Sequence, residues 1–237
     1  MVYEINPADL LWLLIPVAAI ILITHKHSLS EIKSHIMPIG RMIIQLLAIG
    51  FLLKWIFANS APAASVLMAS VMAGAASWIG LRHLKSRRIS IMLPTFISIG
   101  LSGAIYLSVC LLFVLKADPW YSPKIFIPIA GMIFANSMTG ISITCERLLS
   151  EIKHADDVKT SQQKAFAAAI IPITNACLAI GLVSLPGMMT GQILSGVSPL
   201  IAVRYQAMIM LAIYGSVMTT VWLFLTLTHS AFKPDAT

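Results

Sequence analysis

Long stretches of this chain contain no charged residue, and short polar clusters separate them. The uncharged stretches are residues 55–81, 89–115, 125–145, 165–203 and 205–228. An α-helix needs about 20 predominantly apolar residues to cross the hydrocarbon core of a bilayer. Because the apolar runs are continuous and do not alternate with polar residues, they predict membrane-spanning helices and exclude the strands of a barrel.

This pattern predicts an all-α integral membrane protein with about seven transmembrane helices, in a single transmembrane domain over residues 1–237. The expected spans are residues 8–24, 36–57, 63–81, 91–115, 125–144, a sixth that starts near 165, and a seventh from about 203 to 228. Composition agrees, because charged residues make up only 11% of the chain, against about 25% in a soluble domain.

Positive residues gather at alternate connections between the expected spans and at the C-terminal tail. These residues are Lys26, Lys33, Arg41, Arg82, Lys85, Arg87, Arg88, Arg147, Lys153, Lys159, Lys164 and Lys233. Because Lys and Arg favour cytoplasmic connections, we expect the N-terminus outside and the C-terminus in the cytoplasm. The net charge of +7 is therefore explained by membrane topology, and no nucleic-acid partner is expected.

The uncharged stretch 165–203 is too long for one crossing, since a straight helix of that length would extend about 58 Å. Its prolines and glycines predict a broken sixth span, with the break at residues 185–191. Non-helical backbone at membrane depth survives when it is packed in protein or lines a water-filled path. The alternative is a proline kink in which Gly187 and Gly191 allow close helix packing.

Uncharged polar residues and the predicted break are the candidates for a transport path. They are Gln45, Asn136, Ser137, Thr139, Asn175, Gly187, Met188, Met189, Thr190 and Gly191. Hydrogen bonding between helices is the alternative role for the polar members. The 13 methionines leave two interpretations open, because thioethers bind soft metals and also fill gaps in a core.

The segment 146–164 has the pattern of a short amphipathic helix followed by a turn. Its candidate docking residues are Glu146, Arg147, Leu148, Leu149, Glu151 and Ile152. Thr160 and Gln163 fit a capping box that begins the next helix. Such a helix docks into a groove of a cytoplasmic partner, or lies on the lipid surface or on its own loops.

Two sequence motifs bear on enzymatic activity. The sequence Gly-Leu-Ser-Gly at residues 100–103 has the form found in rhomboid-type intramembrane proteases. A serine nucleophile needs a base within hydrogen-bond reach, and no histidine lies inside an expected span, which argues against an intramembrane protease. The chain also lacks the Gly-x-x-x-x-Gly-Lys-Ser/Thr loop that cradles nucleotide phosphates, so we expect no ATP bound by this chain.

The run Gly-Leu-Val-Ser-Leu-Pro-Gly-Met-Met-Thr-Gly-Gln-Ile-Leu at residues 181–194 resembles the signature of the FetB/ALS-type ABC transporter permease family. Other segments resemble the family as well: Gly40-Arg41, residues 44–46, 127–132 and 136–139, Gly196, Pro199, residues 204–206 and Met208. The resemblance therefore covers nearly the whole chain.

The resemblance implies a permease of the bacterial inner membrane that dimerises and pairs with a separate ATP-binding subunit. Bacterial members are associated with iron export and metal-stress resistance. Plant relatives are linked to aluminium tolerance, with a nucleotide sugar proposed as cargo. The family's coupling role falls on the loop before span 6, although this chain lacks the longer loop that members usually carry between Glu151 and Lys164.

The leading hypothesis is therefore an ABC permease that exports a metal ion, most readily iron, or a metal-linked solute. Its path would be lined by spans 2, 5 and 6, and ATP would be hydrolysed in a partner subunit. Two rivals stay open: a secondary transporter or channel that needs no partner, and an intramembrane serine protease.

Overall fold

The computed structural model describes residues 6–28, 31–58, 61–84, 88–153 and 157–232, and its regular secondary structure in these ranges is helical. The helices are α1 Leu11–Lys26, α2 Ile32–Ala58, α3 Pro62–Gly80, α4 Met92–Ser108, α5 Pro123–Lys153, α6 Val158–Ala179, α7 Gly187–Leu194 and α8 Pro199–Leu227. A π-helical turn, Val109–Val114, continues α4. The predicted all-α fold is confirmed.

Six helical segments in the described part of the chain are long and apolar enough to cross a membrane. They are Ala8–Lys26, Ile32–Phe57, Pro62–Gly80, Met92–Val114, Pro123–Ile152 and Pro199–Leu227. Helix α6 has 22 residues and a length of about 33 Å, although its first turns carry Lys159 and Lys164. With α6 included, the helices agree with the expectation of about seven spans.

The helices form two compact units, Met1–Asn59 and Ser60–Thr237. The first unit consists of α1 and α2, which contact each other. The described residues of α1 include no buried side chain. Large apolar residues such as Trp12 and Phe51 are more than two-thirds exposed, as expected for helices that face lipid.

In the second unit, α5 is the central helix, because it contacts α3, α4, α6 and α8. The buried core of this second unit includes Ile99, Ile129, Ile133, Ile141, Ile209, Val221 and Phe224. Glycines allow the helix backbones to approach closely. A Cβ atom at Gly103 would lie 2.2 Å from the Phe134 ring, and one at Gly215 would lie 2.4 Å from the Tyr106 ring. Small residues serve the same purpose at other membrane helix interfaces.

The segment after span 5 is not the separate short helix that the sequence suggested. Helix α5 continues without interruption to Lys153. Residues 141–153 contain neither Gly nor Pro, so nothing ends the helix where the apolar run ends. An ion pair between Arg147 and Glu151, 2.6 Å apart, supports this extension one turn along the helix.

The start of α6 also differs from the prediction. The N-cap residue is Asp157, and the backbone N–H of Thr160 donates to its Oδ1 at 2.7 Å. Thr160 is therefore the third residue of the helix and not its cap, because a carboxylate three positions earlier already satisfies the first N–H groups. This hydrogen bond holds the pKa of the Asp157 carboxyl below its ordinary value.

Candidate functional site

The predicted break after α6 is present, but it lies earlier than expected. Helix α6 ends at Ala179, Ile180 is extended, and the isolated contact of Ile180 with Ser184 closes a turn. Gly181 has a φ of +83°, a left-handed conformation that favours glycine. Residues 187–191, expected to be non-helical, belong instead to α7, because Pro186 precedes the first turn as its N-cap.

Helix α7 carries the part of the signature run that was a candidate for the transport path. The Thr190 hydroxyl donates to the Pro186 carbonyl at 3.1 Å, within the same turn. Met189 is buried, Met188 is half-buried, and Gly187 and Gly191 are exposed. A Cβ atom at either glycine would meet no other atom within 4 Å. The described structure therefore contains no close helix packing at these two glycines.

The polar candidates on α5 have different roles. Ser137 is fully buried, and its hydroxyl lies 3.2 Å from that of Ser216 and accepts from Thr220 at 3.2 Å. Asn136 and Thr139 instead donate to carbonyl groups of their own helix. Ser137 thus has the alternative role predicted from the sequence, which is hydrogen bonding between helices. Its partners lie on α8 and not on α6.

The remaining path candidates lie on other helices. Asn175 is an exposed residue of α6, in the second unit. Gln45 is exposed on α2, which belongs to the first unit. Ser137 is therefore a buried residue whose hydrogen bonds go to α8, whereas Asn175 and Gln45 lie on exposed faces of their helices.

A cavity of about 490 Å³ lies between the end of α6, the loop after it, α7 and α8. Met189 lines this cavity, together with three residues that were not among the predicted site residues: Cys177, Gln206 and Met210. Gln206 and Met210 are four residues apart on α8, and so share one face of the helix. That spacing was visible in the sequence, but the approach of α6 and α7 to this face was not.

The candidate docking residues surround a charged corner between α5 and α6. Glu151 is buried, and its two carboxylate oxygens lie 2.6 Å from Arg147 Nη2 and 2.8 Å from Lys164 Nζ. The two basic side chains are 47% and 44% exposed. Glu151 thus joins consecutive helices, which explains why a carboxylate is retained at a buried position.

The apolar side of this corner faces the protein interior. Leu148 is fully buried, as is Cys145 one turn earlier. Leu149 and Ile152 are half-buried, whereas Glu146 and Arg147 are exposed. Leu148 is therefore a core residue, and the accessible members of the predicted docking set are mainly Glu146 and Arg147.

Ser102 is not placed to act as a nucleophile, and the described residues contain no cluster of the usual metal ligands. Ser102 is fully buried and donates to the Ser216 carbonyl at 2.9 Å. No group of three His, Cys, Asp or Glu side chains converges in the described part of the chain. The geometry therefore supports helix packing at the Gly-x-Ser-Gly motif and no attack on a substrate.

Residues 7–232 match the family described as "Uncharacterised protein family (UPF0014)". The chain belongs to the UPF0014 family. It is a multi-pass membrane protein, as its apolar helices require. No solved structure matches the chain.

UPF0014 relatives cover most of the chain. "Probable iron export permease protein FetB" of Escherichia coli (strain K12) is 32% identical over 94% of this chain and 92% of its own length. "Protein ALUMINUM SENSITIVE 3" of Arabidopsis thaliana is 30% identical over 86% of this chain and 78% of its own length. "UPF0014 membrane protein slr1647" of Synechocystis is 32% identical over 89% of this chain and 87% of its own length. The family resemblance expected from the signature run is confirmed.

Proposed function

We propose that this chain is the permease subunit of an ABC transporter in the cell inner membrane, and that it exports iron or another metal ion. ATP would be hydrolysed by a separate subunit. The observation that carries this proposal is the 32% identity to the E. coli protein FetB over 94% of the chain. The apolar helices and the break after α6 are features that a permease needs.

The charge pattern supports a cytoplasmic position for the corner between α5 and α6. Arg147, Lys159 and Lys164 lie there, and positive residues favour the cytoplasmic side of a membrane. Helix α5 has 31 residues and a length of about 46 Å, which exceeds the ~30 Å hydrocarbon core. Its C-terminal turns therefore extend beyond the membrane, where a cytoplasmic subunit can contact them.

The corner is also suited to transmit force. Glu151 holds the end of α5 to α6 through Lys164, and α5 contacts four other helices of its unit. A partner that binds Glu146 and Arg147 would act on the helix at the centre of the bundle. In this mechanism, nucleotide-driven movement of the ATPase shifts α5 and α6 together and alternates access to the path.

Dimerisation would place polar side chains away from lipid. Asn175 and Gln45 are exposed on their helices, and an amide side chain exposed to hydrocarbon is unfavourable. Two copies that associate through such faces would enclose these side chains, together with Thr139. The path would then form in the assembled transporter.

Copurification with a candidate Walker-type ATPase subunit from the same genome tests the proposal. Wild-type chain should retain the ATPase in detergent, and Glu146→Lys should reduce the amount retained at least tenfold by reversing an exposed charge. Lys124→Glu is the matched control, because Lys124 is an exposed residue at the opposite end of α5. Equal retention by both variants would exclude docking at this corner.

Transport in vesicles distinguishes the remaining functions. Metal movement that requires both the ATPase and ATP supports the proposal, whereas movement without a nucleotide partner would make the chain a secondary transporter or channel. Ser102→Ala should leave transport unchanged apart from a small loss of stability. Loss of a proteolytic activity in that variant would revive the intramembrane protease.

A further inference from the structure

We propose that the cavity between α6, α7 and α8 is a binding site for a soft monovalent metal ion, with Cu(I) as the biological candidate and Ag(I) as its chemical analogue. Only the role of this site in transport rests on the proposed export function. Binding of the ion does not depend on it. Three sulfur atoms and one amide oxygen carry it.

The sulfur donors come from three separate elements. Cys177 lies two residues before the end of α6, Met189 is the third residue of α7, and Met210 lies on α8. All three side chains line one cavity of about 490 Å³. Thiolate and thioether groups are soft ligands that suit Cu(I), whereas carboxylate, carbonyl and water oxygens suit harder ions.

Gln206 is an independent indication that this cavity takes a ligand. The residue is only 6% exposed, it lines the same cavity, and its Oε1 atom has no hydrogen-bond partner among the described residues. A buried acceptor without a partner costs about 1–3 kcal/mol. A cation or a hydrogen-bond donor in the cavity would satisfy this oxygen.

The rest of the cavity wall favours a weakly hydrated ion. None of the described lining residues is Asp, Glu, His, Lys or Arg, and the remaining positions include Ile180, Leu185 and Val203. A divalent ion such as Fe(II) holds its water tightly and would lack a carboxylate to offset its charge. A monovalent soft ion loses less hydration, and one thiolate neutralises it.

Binding requires the thiolate form of Cys177. The thiol of Cys177 releases its proton to solvent as the metal–sulfur bond forms, and the metal keeps its oxidation state. Cys177 is exposed, whereas the two other cysteines, Cys110 and Cys145, are buried. Cys177 therefore lies on the open side of the cavity, while Met189 and Gln206 complete the site from the buried side.

Ag(I) titration of the purified full-length chain in detergent, followed by native mass spectrometry, tests the site. The wild type should bind one Ag(I), with an affinity that falls at least tenfold in Cys177→Ser and in the double variant Met189→Leu/Met210→Leu. Leucine conserves the methionine volume, so the fold should persist. The control Met132→Leu/Met218→Leu removes two thioethers that do not line the cavity and should bind like the wild type.

Three results would overturn the inference. Binding unchanged in the double variant but lost in Cys177→Ser would reduce the site to a single reactive thiol. Equal losses in the cavity and control variants would show that the effect is not local. Displacement of Ag(I) by Fe(II) at a lower concentration than by Cu(I) would contradict the preference for a soft ion.

ATPase copurification of the same variants keeps the two proposals separate. Cavity variants that lose Ag(I) but retain the ATPase leave the proposed permease function standing and support the metal site. A wild type that binds Ag(I) through these residues but never retains the ATPase would refute the ABC permease, not the metal site.

Discussion

The hydroxyl oxygens of Ser102 and Ser216 lie 2.8 Å apart, and both residues are fully buried. Ser137 adds a third hydroxyl at 3.2 Å from that of Ser216, and Thr220 donates to Ser137. This cluster joins α4, α5 and α8 where the surrounding side chains are apolar. Its members satisfy one another, as buried polar groups in a membrane protein must.

Replacing Ser216 with alanine should destabilise the second unit by about 1–2 kcal/mol, because two interhelical hydrogen bonds are lost and each contributes about 0.6 kcal/mol or more. Unfolding of the purified chain in SDS, followed by circular dichroism, measures the change. Ser70→Ala is the control, because the exposed Ser70 hydroxyl bonds only to Val66 of its own helix. An equal loss of stability in both variants would show that the buried cluster contributes no more than an exposed hydroxyl.

Gly103→Ala should destabilise the packing of α4 on α5. The added methyl group would lie 2.2 Å from the Phe134 ring, and overpacking of this kind costs about 1–3 kcal/mol. Gly100→Ala on the same helix meets no atom within 4 Å and should be neutral or slightly stabilising. Thermal unfolding of both variants in detergent makes the comparison, and a neutral Gly103→Ala would contradict the close approach of these helices.

Glu151→Gln should loosen the corner between α5 and α6, because the neutral amide loses its ion pairs with Arg147 and Lys164. Hydrogen exchange of the backbone amides in residues 147–164 should accelerate by about tenfold. Burial of the Glu151 carboxylate strengthens its ion pairs, while the partial exposure of both basic partners limits the effect. Glu146→Gln changes an exposed carboxylate nearby and should leave exchange unaltered. Similar exchange in both variants would assign Glu151 no clamping role.

The Asp157 cap makes the start of α6 sensitive to acid. Because its carboxyl has a lowered pKa in the folded chain, the stabilisation is present above the ordinary aspartate pKa and is lost as pH falls through the lower folded value. Fraying of Val158–Ser161, followed by NMR amide signals, should therefore increase below about pH 4. Asp157→Asn retains a capping side chain and should remove this pH dependence. Persistence of the dependence in that variant would point to another group.

Membrane-spanning segments were predictable where an abrupt change in polarity marks a helix end. Span 63–81 corresponds to Pro62–Gly80, because Pro62 begins the helix and a basic segment follows it. The end of span 5 was not predictable from hydropathy, since α5 continues to Lys153 after its apolar run has ended. When a helix passes from lipid into water without a break, its surroundings change but its backbone conformation does not.

The break after α6 was predictable in kind but not in place. Pro186 was expected to end a helix, yet it begins α7, and Gly181 provides the turn. Proline favours the start of a helix and glycine the position just after its end, but a run that contains several of both offers more than one place for the break. The cavity was less predictable still, because Cys177 and Gln206 are 29 positions apart and meet only through the return of α8.

A helix as long as α5 has no joint between its charged end and the centre of the bundle. Residues 123–153 form one continuous rod, so a tilt imposed at Glu146 displaces Ser137 as well, about 13 Å away along the axis. A substitution in the packed middle of α5 would therefore change how far a movement at its charged end is transmitted, without altering the exposed residues at that end.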